Sequence, residues 1–191
     1  MAAPPQCVVL VEGPSDAAVL DVLARRGGLA GPGLAVVSMG GVTNFGRQLA
    51  RYDDDRTVSV AGLCDAGETR FFAGALRRRG HVVESRDDLA RLGFFVCEAD
   101  LEDELIRALG TEAVVDVVER EGELGQLRTF QQQPAQRRRS LHDQLHRFCG
   151  TKSGRKVRLA AALAETLELE AVPAPLRRVL ERARGQVADV S

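Results

Sequence analysis

The sequence predicts an α/β fold: a parallel β-sheet in the first half of the chain and a helical extension in the second. Three observations carry this. The apolar runs Val8-Val9-Leu10-Val11 and Val58-Ser59-Val60-Ala61-Gly62-Leu63 both end abruptly in an acid and a glycine, as Glu12-Gly13 and as Asp65-Ala66-Gly67-Glu68. Runs of that length, bounded by turn signals, suit buried parallel strands. Strand-like and amphipathic segments alternate up to Cys97, and alternation of that kind implies a parallel sheet with right-handed crossovers. From Asp100 onward only helical periodicity remains. Residues 1–110 are therefore expected as the α/β core, and residues 111–191 as a helical extension packed on it.

The elements follow in order. Strand 7–11 leads to helix 15–26, whose Val19, Leu20, Val22 and Leu23 form an apolar face ended by Gly27-Gly28. A turn at Gly31-Pro32-Gly33 precedes strand 34–38. Helix 43–51 follows, with Thr43 or Asn44 as its cap. Strand 58–63 leads to helix 68–79, stopped by Gly80. His81-Val82-Val83-Glu84 reads as a short strand, and Phe94-Phe95-Val96-Cys97 as a better one. Asp100 caps a helix to Leu109, with Leu101, Leu105, Ile106 and Leu109 on one side. Further helices are expected at 111–121, 123–130, 137–148, 152–169 and 174–184, with breaks at Gln131-Gln132-Gln133-Pro134 and Pro173-Ala174-Pro175.

Composition is that of an ordinary soluble globule, and with no tryptophan the core must come from Val, Leu, Ala and Phe. No apolar run approaches the length of a membrane span, and Met1–Gln6 has no basic region leading into an apolar stretch. A cytoplasmic, non-membrane protein is expected. Cys7, Cys64, Cys97 and Cys149 lack CxxC spacing and read as buried thiols rather than zinc ligands. His142 and His146 share a helical face, but no third zinc ligand accompanies them. The net charge of −1 hides an asymmetry: Glu84–Glu123 holds 13 acids and 4 bases, whereas Arg137–Arg158 holds 8 bases and 1 acid. An acidic or metal-binding region beside an anion-binding one is implied. The two lysines, Lys152 and Lys156, fall within one five-residue window.

Acids just past parallel strand ends lie where open α/β sheets bind their ligands. If strands 7–11 and 58–63 are neighbours, Glu12, Asp16, Asp65 and Glu68 converge. Four such carboxylates repel one another unless a cation sits among them, and oxygen donors favour magnesium, calcium or manganese. Taken singly, each acid has a simpler reading: Glu12 as a helix N-terminal acid, Asp16 and Asp65 as caps. Their joint occurrence at two strand ends favours the metal site.

This pattern resembles the Toprim domain, the catalytic module of bacterial primases, topoisomerases and some nucleases, whose first strand ends in a glutamate like Glu12-Gly13 and whose third ends in an Asp-x-Asp pair. Met39-Gly40-Gly41-Val42-Thr43-Asn44-Phe45 resembles the glycine pair that OLD-type (overcoming lysogenization defect) nucleases carry after the second strand. Asp100-Leu101-Glu102-Asp103-Glu104-Leu105 is similar to their downstream acidic motif, and Lys156 to their C-terminal lysine. The resemblance covers about residues 7–165 and implies a Toprim-type, Rossmann-like sheet. One position departs from it: the second aspartate is expected at Gly67. The adjacent Glu68, one methylene longer, is taken as its replacement.

The resemblance implies a nuclease that cleaves DNA phosphodiesters with two magnesium or manganese ions. Glu12, Asp16, Asp65 and Glu68 are the expected ligands of one ion, and Glu102 helps hold the other. Against Glu102 stands the reading of residues 100–104 as a capped helix start. Glu12, Asp65 and Lys156 are the expected catalytic residues, with Lys156 offsetting charge on the phosphorane. Arg137, Arg138 and Arg139, with Lys152 and Arg155, are expected to grip the nucleic-acid backbone; a plain solvated basic face is the alternative. OLD nucleases usually carry an ATPase domain ahead of the Toprim part, so a separately encoded ATPase is a candidate partner, as is a second copy of the chain. Two other readings stay open. One is a phosphotransferase or hydrolase of small substrates, since no aromatic platform for bases is evident. The other is a weakly active metal-binding regulatory module, which Gly67 favours.

Overall fold

The computed structural model describes residues 5–53, 55, 57–151 and 153–188. Among these residues, four parallel strands form one sheet: β1 (Cys7–Val11), β2 (Leu34–Ser38), β3 (Ser59–Cys64) and β4 (Phe94–Val96), in the order β2-β1-β3-β4. β1 is central. Its Cys7 pairs with Leu34 on one side and with Ser59 on the other, so the acids that follow β1 and β3 emerge side by side. The chain moves from β1 to one side for β2 and to the other for β3, which makes the β1/β3 border the switch point.

Among the described residues, ten helices join and follow these strands: α1 (Pro14–Arg26), α2 (Phe45–Ala50), α3 (Thr69–Arg77), α4 (Arg86–Arg91), α5 (Leu101–Leu109), α6 (Thr111–Arg120), α7 (Leu124–Gln131), α8 (Leu141–Gly150), α9 (Ser153–Thr166) and α10 (Ala174–Ala188). Short 3₁₀ turns precede α2 (Val42–Asn44) and α3 (Ala66–Glu68). Among the described residues, no helix is long and apolar enough to cross a membrane.

Alternation of side chains along β1 separates two cores. Val8 and Leu10 face α2, α3 and α4, where Phe45 stacks on Phe72 at 3.8 Å and Phe94 meets both rings edge-on. Gly62 on β3 permits this, because a Cβ there would stand 3.0 Å from the Phe94 ring and 2.9 Å from Leu10 O. Cys7, Val9 and Val11 face α1 and α10, and their core continues into α5 through α9. α10 lies directly on β1, β3 and β4, so the last helix is a layer of the sandwich itself. α9 packs along α1. Arg25 pairs with Glu165, and Arg26 donates to the carbonyls of Ala164 and Leu167 at 2.6 Å.

Several local expectations are corrected. Residues 81–84 form no strand: Val82 is exposed, and the Val83 carbonyl accepts from the Arg77 guanidinium instead of a ladder. α4 was missed, although Ser85 and Asp88 form a reciprocal cap at its start, which is a readable signature. Thr43 and Asn44 do not cap α2; the Asn44 amide donates to the carbonyls of Met39 (2.9 Å) and Gly40 (3.1 Å). α8 starts at Leu141 rather than at Arg137, because Ser140 Oγ accepts from Asp143 N–H.

Phe72 is fully buried between two rings, so Phe72→Ala is expected to cost about 3–5 kcal/mol through lost transfer energy and an unfilled cavity. Urea denaturation checks this. A loss under about 1 kcal/mol would mean that the site collapses around the smaller side chain.

Candidate metal centre

Three carboxylates meet at the C-terminal ends of β1 and β3. Glu12 follows β1 directly, Asp65 follows β3, and Glu68 closes the 3₁₀ turn before α3. One oxygen from each lies within 4.8 Å of the others, and all three side chains are half-buried. Gly40 (φ 68°) and Gly41 (φ 114°) take conformations that side chains disfavour. The turn they make brings Gly41 N–H to the Glu12 carbonyl at 3.0 Å, and Asn44 fastens it from behind. The glycine pair thus fixes the backbone that carries Glu12.

The electrostatics are those of crowded, partly desolvated carboxylates. Burial, then the charges of Asp16, Asp100, Glu68 and Glu12, push Asp65 up to about 8. Burial, a hydrogen bond shared with Glu12 and the charges of Glu12 and Asp16 raise Glu68 to about 7, against the pull of Lys156. Glu68 Oε2 is buried without a hydrogen-bond partner. An orphaned buried oxygen, a set of oxygen donors and this spacing fit a hard divalent cation, whose ligand oxygens gather around it at about 2.0–2.6 Å.

The other acids expected at this site stand outside the trio. Asp16 Oδ2 accepts from Gly13 N–H at 2.8 Å and so caps α1, while burial and the nearby Glu12 charge raise its pKa. Glu102 is buried on α5, with Lys156 Nζ 3.3 Å from its Oε1. That contact is an ion pair between a buried carboxylate and a half-buried ammonium. Burial opposes the Lys156 ammonium, but the carboxylates of Glu102, Asp16 and Asp100 outweigh it and raise its pKa. α9, held along α1, therefore presents Lys156 on the Asp16 side of the cluster.

Two roles were missed. Asp100 caps α5 as expected, but its charge also acts on Asp65. His146 on α8 holds Asp100 through Nε2 at 2.7 Å; this bond and the Asp103 N–H outweigh burial and lower the Asp100 pKa. The signal was present: Asp100 opens the acidic run just past β4. The rest of that run is engaged elsewhere. Asp103 pairs with Arg107, and the buried Glu104 accepts from Glu98 N–H at 2.8 Å.

The expected basic grip is also revised. Arg155 is buried, bonded to Glu123 and Thr151, with its guanidinium 4.2 Å from the Phe148 ring centre. It cements α9 to α7 and α8 and is not available to a phosphate. Arg137, Arg138 and Arg139 are exposed, but in the turn before α8 rather than on a helix, and Arg137 and Arg139 donate to carbonyls of that turn. Lys152 lies outside the described residues. All four cysteines are buried free thiols.

Fold and site together define a Toprim-type α/β protein with a carboxylate centre at its switch point. Residues 6–66 match the family described as the overcoming lysogenization defect protein-like TOPRIM domain. Over 97% of its length the chain is similar to the C-terminal region of the Xanthomonas campestris pv. campestris OLD protein, with 26% identity, 98% of that chain covered and a TM-score of 0.70. The fold is also shared with the C-terminal region of the Burkholderia pseudomallei OLD protein, at 22% identity and a TM-score of 0.68, covering 96% of this chain and 98% of that one. No curated protein matches. The family match lies on the strands and acids of the first half, and the likeness to the solved structures runs on through the helical second half.

Asp65 and Glu68 hold protons in the folded state at pH values where an unfolded chain, with carboxyl pKa values of about 4, has lost them. Their contribution to stability is therefore full below about pH 4 and lost as pH rises toward about 8. In chelator, the melting temperature should fall over that window. Asp65→Asn should flatten the fall and melt higher at its upper end. Identical pH profiles for the two proteins would contradict the repulsion described here.

Proposed function

We propose that the chain is a divalent-metal-dependent nuclease that hydrolyses DNA phosphodiesters. The observation that carries this reading is the convergence of Glu12, Asp65 and Glu68, together with a half-buried Lys156 that pairs with Glu102 and whose charge also acts on Glu68. Magnesium or manganese held by the trio would supply Lewis acidity at a phosphoryl oxygen and a more acidic water. A two-ion site would draw its further oxygens from Asp16 and Asp100, whose charges act on Asp65, and from Glu102, on which the same two charges act.

The chain's own residues account for the remaining work. Lys156 stays protonated at neutral pH because three carboxylates surround it, and its flexible stem lets the ammonium meet charge developing on a phosphate. His146 fixes Asp100, and Gly13 N–H fixes Asp16, so neither carboxylate is free to swing. Gly67 is exposed, and a Cβ there would meet nothing within 4 Å. Glu68 takes the place beside Asp65 that the expected second aspartate leaves empty. The same substitution supports a second reading, a metal-binding module of low activity that works with a separately encoded ATPase.

Supercoiled plasmid incubated with the protein and manganese tests the choice. The wild type should nick or linearise it. Glu12→Gln and Lys156→Ala should each lose about 100-fold or more in rate, and Lys156→Ala should keep its DNA affinity, because a group acting on the transition state lowers turnover more than binding. Gly67→Asp should retain or raise activity. A wild type that binds manganese but leaves plasmid intact would reject the nuclease and favour the regulatory module.

A further inference from the structure

We infer that the groove between α2 and α3 is a docking surface for the sugar-phosphate backbone of DNA, leading into the carboxylate centre; this rests on the nuclease reading. Arg47 on α2, Arg70 on α3 and Arg78 just past the end of α3 line the groove, and Gly46 and Gly74 form its floor. The floor is bare backbone. The Arg78 guanidinium spans it, with one nitrogen 3.5 Å from where a Gly46 Cβ would stand and another 3.6 Å from where a Gly74 Cβ would stand.

The arginines of this region divide into two kinds. Arg79 is structural, gripping Asp53 through two bonds of 2.9 and 3.0 Å and also the Gly46 carbonyl. Arg47, Arg70 and Arg78 are exposed and form no ion pair with an acid among the described residues. Arg47 is steered by Asn44 Oδ1 at 3.1 Å, and Asn44 also ties down the Gly40-Gly41 turn. The Arg70 guanidinium lies 4.9 Å from the centre of the Phe71 ring. Three unpaired guanidiniums around a glycine floor, with an aromatic ring alongside, suit phosphates and the sugars between them.

Connectivity places one end of the groove at the metal centre. Val42 and Thr43 line it immediately after Gly41, whose N–H holds the Glu12 carbonyl. Arg70 follows Glu68 by two residues. From Glu68 to Arg78 the chain runs ten residues, about 15 Å at helical rise. That length passes about four phosphates of one strand at about 3.4 Å each. A carboxylate cluster repels the polyanion it is to cut, and a positive stripe at its rim offsets that repulsion. The expected arginines of the 137–139 turn have no such continuity with Glu12 and Glu68.

Anisotropy with a labelled DNA duplex, at salt from about 50 to about 200 mM, tests the inference. The triple variant Arg47→Ala, Arg70→Ala, Arg78→Ala should bind at least about tenfold more weakly at the lower salt. Its log–log salt slope should be shallower by about 2.7, since each lost phosphate contact removes about 0.9. Manganese affinity and the far-ultraviolet circular dichroism spectrum should not change, because all three side chains are exposed. Arg70→Glu with Arg78→Glu should weaken binding further. Wild-type affinity and slope in both variants would overturn the groove while leaving the nuclease reading standing. A wild type that neither binds DNA nor cleaves it would overturn both together.

Discussion

Mutual repulsion among carboxylates at the C-terminal ends of β1 and β3 is the constraint around which this molecule is arranged. The parallel register that pairs β1 with β3 makes the convergence unavoidable: once Cys7 lies opposite Ser59, Glu12 and Asp65 leave the sheet as neighbours. Burial then removes the water that would screen them, and Asp65 and Glu68 rise to about 8 and about 7. A fold has no reason to hold such a cluster for its own stability. The surroundings nevertheless hold it firmly, through the Gly40-Gly41 turn behind Glu12, the cap that Asp16 makes on α1 and the His146 bond to Asp100.

The helical second half takes part in the same design. α10 covers the sheet, and α9, bound to α1 through Arg25 and Arg26, carries Lys156 to the cluster. The lysine is the cation the site already owns, and its pairing with Glu102 leaves the trio of Glu12, Asp65 and Glu68 to be neutralised from outside. Beside this acidic centre, the α2/α3 groove is lined by the exposed Arg47, Arg70 and Arg78. Under the proposed nuclease reading, attraction at the rim would draw in a polyanion that the repulsive centre could accept only with a metal.

Sheet and site were legible in the sequence to different degrees. Four of the five expected strands were read well, because runs such as Val8-Val9-Leu10-Val11 have no amphipathic competitor and end at unmistakable turn residues; the run at 81–84 lacked both marks. The trio could be read from two strand ends alone. Arg155 was misread because an arginine near a helix start looks the same whether it meets solvent or a buried Glu123, and only packing decides. Asn44 was misplaced as a cap for a similar reason: its amide had two sets of local carbonyl and N–H groups to choose from, and the glycine turn won. The α2/α3 groove could not be seen at all, since Arg47 and Arg78 are neighbours only after two helices pack.

Calorimetric titration with manganese at neutral pH, in two buffers of different ionisation enthalpy, tests the central claim most directly. A site whose carboxylates hold protons at that pH must give them up to the ion. The account predicts saturable binding to the wild type with release of about one proton for each ion bound, and loss of that binding in Glu68→Gln. Binding without proton release, or wild-type affinity in Glu68→Gln, would contradict it.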